Sequence, residues 1–242
     1  MSENTVASAA PFESAAGMAD ATNYADWTFS LFSAVAAGAV LEVGCGVGTF
    51  TKRLAQAPLI THILSIDVSN SAVSVCRDAV RSPKLELRHA DVRDVSGTFD
   101  LVVCMNVLEH IEDDLGALSH MVRLLRPGGV LFLLVPAHQF LYTPFDRESG
   151  HYRRYSRRHM HGLMRRAAMG EGWKLRQFYF NSIGALGYYA VYKLLGRAPR
   201  ADSAAEIGWF DRYVVPVQRL LEPRAIPFGI SLVSVLHRQA QP

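Results

Sequence analysis

The alternation of apolar and polar positions divides the chain into an unpatterned start, a long α/β stretch and a less regular C-terminal third. Residues 1 to about 20 are rich in Ala and Ser and carry no period, so a flexible segment is expected over 1–22. From Asn23, Trp27, Leu31, Phe32 and Val35 recur at helical spacing, and Gly38 ends the run. Short apolar runs then alternate with helical patterns. Strands are expected at 40–43, 63–66, 85–89, 99–105 and 130–135, with helices over 49–57, 71–80 and 112–125. Pro127-Gly128-Gly129 reads as the stop of the last of these helices. Strands that are apolar throughout and separated by helices imply a mostly parallel sheet covered on both faces.

After Pro136 the pattern changes. Residues 137–155 form a polar, aromatic stretch too long for a routine connection. Ser156 suits the cap of a helix ended by Gly170, and further strands are expected at 173–180 and 230–237. Between those two strands lies an apolar insertion at about 181–229, with Ile183, Leu186, Tyr188, Tyr189, Val191, Tyr192, Leu194 and Leu195 near its start. It is expected to cover part of a binding site or to form a dimer contact, since so much apolar surface is rarely left exposed. The two flanking strands are expected to pair antiparallel at one sheet edge.

Composition narrows the picture. The 242 residues are 50% hydrophobic and 19% charged, which suits one α/β domain over 23–242 with room for an apolar pocket. A net charge of +3 is too weak to argue for nucleic acid, and the Arg-rich run at 153–166 contains no recognisable nucleic-acid module. The cysteines Cys45, Cys76 and Cys104 are odd in number and read as reduced thiols of a cytoplasmic protein. The N-terminus lacks a signal-peptide pattern, and no run is apolar enough to span a membrane. No His, Cys or carboxylate spacing along the chain suits a metal, so no metal requirement is expected.

The strongest chemical signal is Val40–Thr49, VLEVGCGVGT. A strand runs into a glycine turn and then a helix, so the backbone can approach a ligand without Cβ atoms in the way. Asp67 follows at the end of the next strand, where a carboxylate can accept from both hydroxyls of a ribose. The spacing is GxGxG, and Thr49 stands where a dinucleotide-binding dehydrogenase has its third glycine. Glu42 is poorly placed for a negative diphosphate and better suited to a ligand carrying ammonium and sulfonium charge. NAD-dependent oxidoreduction is disfavoured on both counts.

Glu42–Gly48 resembles motif I of the class I S-adenosylmethionine (SAM)-dependent methyltransferases, and four further stretches match in order. Asp67 resembles the ribose-binding acid. His89-Ala90-Asp91-Val92 resembles the segment whose acid contacts the adenine. Asn106-Val107-Leu108-Glu109-His110 resembles the stretch lining the methionine end of SAM. Leu125–Gly129 resembles the turn before the fifth strand. The resemblance covers roughly residues 38–136. It implies a Rossmann-like seven-stranded sheet, mostly parallel with an antiparallel edge strand, and SAM as cofactor. It also implies a cofactor site of Tyr24, Glu42, Gly44, Cys45, Gly46, Gly48, Asp67, Val68, Ala90, Asp91, Val92, Asn106 and Val107, with Tyr24 on a helix that commonly covers SAM. More weakly, Asp146–Tyr155 and the later PFGISL look like a bacterial subgroup associated with glycoconjugate or secondary-metabolite pathways.

The activated methyl of SAM needs an aligned nucleophile and, where that nucleophile carries a proton, a base. His110, His151 and Tyr152 are the candidates for catalysis. Tyr142, Arg154 and Tyr155 are candidates for the acceptor site, with packing within the loop as the competing reading, and Asp146 is expected to pair with Arg153 or Arg154. Gly150 suits the hinge of a lid over 137–155; a permanently ordered brace is the alternative. The implied function is methyl transfer to O, N or C of a small molecule by a monomer or homodimer. Another SAM-consuming reaction and a non-catalytic SAM-binding partner protein remain alternatives.

Overall fold

The computed structural model describes residues 21–168, 172–194, 204–222 and 227–240. The flexible segment expected over 1–22 lies outside them except for Ala21, which is buried, and Thr22, which opens the first helix. Gly170, the expected helix stop, also lies outside.

Seven strands form one sheet: β1 (Gly38–Val43), β2 (Ile60–Asp67), β3 (Leu85–His89), β4 (Phe99–Met105), β5 (Leu125–Pro136), β6 (Trp173–Phe180) and β7 (Ser231–Arg238). Their order is β3-β2-β1-β4-β5-β7-β6. Neighbours from β3 to β5 pair parallel, and β7 runs antiparallel to both β5 and the outermost β6. The antiparallel pairing expected at one edge is therefore made by β7, and the apolar insertion connects β6 to it.

The continuous apolar strands reflect burial on both faces. Along β5, Leu131, Leu133 and Val135 join one core cluster, while Val130, Phe132 and Leu134 join the other. On the first face lie α4 (Asp114–Arg123), through Leu118 and Met121, and α6 (Arg157–Ala167), through Met160, Leu163 and Met164. On the other lie α1 (Thr22–Ser30), through Trp27, and α2 (Thr49–Gln56), through Leu54. The helix α3 (Asn70–Ala79) packs Val73 and Cys76 against Cys45.

Two local readings are corrected. Pro127-Gly128-Gly129 does not simply stop a helix; it lies within β5. Leu125 already pairs with Phe99, and a register shift before Leu101↔Val130 accommodates the extra residues. The 137–155 stretch is not an open loop. It holds a short helix α5 (Pro144–Glu148), begun by a capping box between Thr143 and Asp146, and an isolated bridge between Ala137 and Tyr155.

The insertion is helical where described. It comprises α7 (Ser182–Tyr188) continued by a wide π-type turn, then α8 (Ala204–Trp209), a second π-type turn at Phe210–Val214 and α9 (Val215–Leu221). Asp211 in the second turn accepts from the amides of Asn23 and Tyr24 at 3.1 and 2.8 Å, capping the free N–H groups of α1. The insertion is thus fastened to the N-terminal helix. No helix among the described residues is long and apolar enough to cross a membrane.

Candidate functional site

The glycine turn follows β1, and its shape is set from β2. The amides of Gly44 and Cys45 both donate to the carbonyl of Ile66, at 2.8 and 3.0 Å. The Gly46 amide donates to Asp67 Oδ2 at 3.0 Å, and the Ser69 amide to Asp67 Oδ1 at 2.9 Å. Asp67 therefore shapes the cradle as well as lining it. Gly44 has φ +84°, and a Cβ there would lie 2.3 Å from Val107 Cγ2. The turn closes against the segment after β4 with no room for a side chain, which is the close approach a ligand-binding glycine loop requires.

Glu42 is buried at the end of β1 and accepts from the hydroxyls of Thr51 and Ser65, both at 2.6 Å. Burial pushes its carboxyl up to about 8, opposed by those two hydrogen bonds. Its carboxyl ties α2 and β2 to the turn. Cys45 turns its thiol inward against Val73 and Cys76, so only its backbone borders the cradle.

Around the cradle, Val68 is exposed, and its carbonyl lies 2.9 Å from His89 Nε2. The Ala90 amide donates to the Asp67 carbonyl at 3.0 Å. Asp91 is paired with Arg93 at 2.7 Å, which holds its carboxyl below the usual carboxylate range despite partial burial. The Val92 side chain is buried in the core. Asn106 takes φ +52°, and its amide donates to the Leu134 carbonyl at 2.8 Å. This left-handed conformation, which Asn tolerates, turns the chain from β4 towards Gly44. Tyr24 leans on Phe180, ring centroids 5.8 Å apart, on the helix that Arg53 ties to the segment after the glycine turn.

The segment after β4 also meets the 137–155 stretch. The rings of His110 and His151 stand edge to face with centroids 4.6 Å apart, and the Tyr152 amide donates to the Glu109 carbonyl at 2.8 Å. Glu109 is 1% exposed, and neither of its carboxylate oxygens has a partner among the described residues. Burial pushes its carboxyl up to about 8 and brings His110 down to about 4, the latter helped by the neighbouring His151. Tyr152 is exposed, with the Arg153 guanidinium over its ring.

Asp146 organises the stretch. It accepts from Arg154 through both oxygens at 2.7 and 3.1 Å, from the Thr143 amide at 2.8 Å, and from the Tyr188 hydroxyl of α7 at 3.2 Å. His151 Nδ1 lies 3.0 Å from the same carboxylate. These hydrogen bonds keep the Asp146 carboxyl well below the usual range although burial opposes it. The pairing of Asp146 is thus with Arg154, while Arg153 pairs with Asp114 at 2.8 Å.

Two expectations are corrected here, for Arg154 and Tyr155, and half-buried Tyr142 is placed beside them. Arg154 is buried and committed to Asp146, so it is a counter-ion within the fold rather than an acceptor contact. Tyr155 is fully buried, its hydroxyl reaching the Leu108 carbonyl and Asp114, so it braces the core. Tyr142 donates to the His151 carbonyl at 2.6 Å and fastens the stretch from inside. Gly150, with φ +81°, closes the turn after α5, and its amide donates to Arg147 at 3.0 Å. The charged and aromatic residues of the stretch bond to one another.

Sequence reasoning missed Glu109 as a feature of the site, although an acid beside His110 directly after an apolar strand was a usable signal. It also missed Tyr188 and Asp211, whose partners are remote in sequence.

Residues 41–133 match the family model described as a methyltransferase domain. A ubiquinone biosynthesis O-methyltransferase of Aromatoleum aromaticum is 34% identical over 99 residues, covering 38% of this chain and 42% of that protein. A trans-aconitate 2-methyltransferase of Deinococcus radiodurans is 33% identical over 129 residues, 50% of each. The chain thus spans half or less of the length of these curated relatives. Among solved structures, a Haloferax volcanii methyltransferase in complex with its Trm112 activator superposes with TM-score 0.66 at 16% identity, over 97% of this chain and 100% of that one. The N-methyltransferase NodS of Bradyrhizobium japonicum, bound to S-adenosylhomocysteine, gives 0.54 at 19% identity over 89% and 85%. The chain shares its fold with these structures.

Proposed function

We propose that the protein transfers the methyl group of SAM to an O, N or C nucleophile of a small-molecule acceptor, a metabolite or natural product, and releases S-adenosylhomocysteine. The observation that carries this reading is the cradle at the ends of β1, β2 and β4, where Gly44 closes on Val107 and Asp67 borders the turn. Both curated relatives are small-molecule methyltransferases by name, which supports the same reading.

In this reading Gly44, Gly46 and Gly48 admit the cofactor, and Asp67 accepts from its ribose. Val68, Ala90 and Asp91 border the adenine, and Asn106 and Val107 border the methionine end. SAM supplies a methyl on a positively charged sulfur that leaves as a neutral thioether. The residues here then need to orient the acceptor and deal with its proton. Glu109, His110 and His151 meet directly beyond Val107. His110, brought down to about 4 by burial, is neutral at pH 7 and keeps a lone pair. Tyr152, exposed at the rim, is placed to touch an acceptor.

Incubation with SAM labelled in the methyl group and a panel of hydroxylated, amino and carboxylic acceptors tests the reading by mass spectrometry. Labelled product with stoichiometric S-adenosylhomocysteine is expected. Methylthioadenosine as the nucleoside product would instead mean transfer of another part of SAM.

A further inference from the structure

We propose that Glu109, His110 and His151 form a binding site for one first-row divalent cation, of the Zn²⁺, Mn²⁺ or Co²⁺ kind. Their ligand-capable atoms all lie within 4.8 Å of one another. The three come from two segments some forty positions apart, so no spacing along the chain reveals them.

Each member leaves a lone pair for an ion. The Glu109 carboxyl is buried with both oxygens unpartnered among the described residues. A buried carboxyl without hydrogen bonds is costly unless it is neutralised by a proton, a cation or a metal. The Arg154 guanidinium, whose charge acts on Glu109, bonds Asp146 through Nε and Nη2 rather than bonding Glu109. His110 Nδ1 is buried and unpartnered among the described residues. His151 uses Nδ1 on Asp146 and so keeps Nε2.

This second tier points to a metal rather than to a chance meeting of three polar groups. Ligating imidazoles characteristically anchor their other ring nitrogen on a carboxylate or a backbone carbonyl, which fixes the tautomer and aims the free lone pair. His151 has the carboxylate, that of Asp146. Asp146 is itself held by Arg154, Thr143 and Tyr188, so the anchor is rigid. Two imidazoles and one carboxylate suit zinc and its neighbours better than Mg²⁺ or Ca²⁺, which prefer oxygen alone. Bonds of about 2.1 Å place such ligands about 3.4 Å apart, so the cluster has to contract modestly on binding.

Three protein ligands leave coordination positions open. On the methyl-transfer reading above, those positions would take an oxygen of the acceptor, which narrows the acceptor to molecules with a hydroxyl or carboxylate beside the methylated atom. The binding site itself does not depend on that reading.

Protein stripped with chelator is titrated with Zn²⁺ by calorimetry and with Co²⁺ by visible absorption. One equivalent is expected to bind, and Co²⁺ is expected to show d–d bands of a site with nitrogen ligands. Glu109→Gln and His151→Ala should each weaken binding at least a hundredfold, and His62→Ala, at an exposed surface position, should leave it unchanged. Melting curves identify any variant that fails to fold; the near-isosteric Glu109→Gln then carries the test. Absence of stoichiometric uptake, or equal affinity in Glu109→Gln and the parent, would overturn the proposal. S-adenosylhomocysteine is titrated in parallel. Its binding without metal uptake sinks this site alone, and metal uptake without it sinks the methyl-transfer reading alone.

Discussion

At the residue scale, Gly44 and Glu42 make separable demands on the turn after β1. A Cβ at Gly44 would collide with Val107 while the backbone sits at φ +84°, so Gly44→Ala combines a clash with conformational strain. It is expected to lower stability by about 1–3 kcal/mol and to weaken S-adenosylhomocysteine binding. Adding Val107→Ala should relieve the clash and recover part of the stability, leaving the strain. Melting curves of the single and double variants check this; no recovery would mean that Val107 is not what forbids a side chain.

Glu42 bears on pH. Burial raises its carboxyl to about 8 in the folded chain. An acid whose pKa is raised on folding favours the folded state below the unfolded pKa, about 4.3, and loses that contribution as pH rises to the folded value. Stability should therefore decline between about pH 4.5 and 8 and level off above. Glu42→Gln can still accept from Thr51 and Ser65, and its melting temperature should show a smaller decline over that window. Parallel curves for the two proteins would show that Glu42 does not titrate as its burial implies.

At the scale of elements, the 137–155 stretch ties its own length together and then ties itself to β5 and α4. Tyr155 is the clearest member: fully buried, with its hydroxyl between the Leu108 carbonyl and Asp114. Tyr155→Phe should cost about 0.5–1.5 kcal/mol by removing a buried hydrogen bond whose acceptors keep their other partners, Arg153 and the Ile111 amide. S-adenosylhomocysteine affinity should not change. Loss of that affinity in a folded variant would return Tyr155 to the binding site.

The sheet was legible because apolar runs buried on both faces look unlike anything else. The expected 85–89, 99–105 and 173–180 strands coincide with β3, β4 and β6. The glycine turn and Asp67 were legible because positive-φ glycines and a strand-end acid leave a local signature. The assignments within 137–155 were not. Tyr155 and Arg154 look like surface residues until Asp114 and Asp146 are brought to them. Asp211 capping α1 and the meeting of Glu109 with His151 also join remote segments, and neither leaves a period or a spacing.

At the scale of the whole molecule, the insertion and α1 cover one face of the sheet together, joined by Asp211 at the first turn of α1. The glycine turn and the Glu109–His110–His151 cluster both lie where β1, β4 and β5 deliver their C-terminal ends, as ligand sites of open α/β sheets do. The central claim is that this cradle is built for SAM and not for a dinucleotide. Calorimetric titration with S-adenosylhomocysteine and, separately, with NAD tests it most directly. The account predicts saturable one-to-one binding of S-adenosylhomocysteine, weakened by about 1.5–3 kcal/mol in Asp67→Ala, and no binding of NAD. Tighter binding of NAD, or S-adenosylhomocysteine binding untouched by Asp67→Ala in a folded protein, would contradict it.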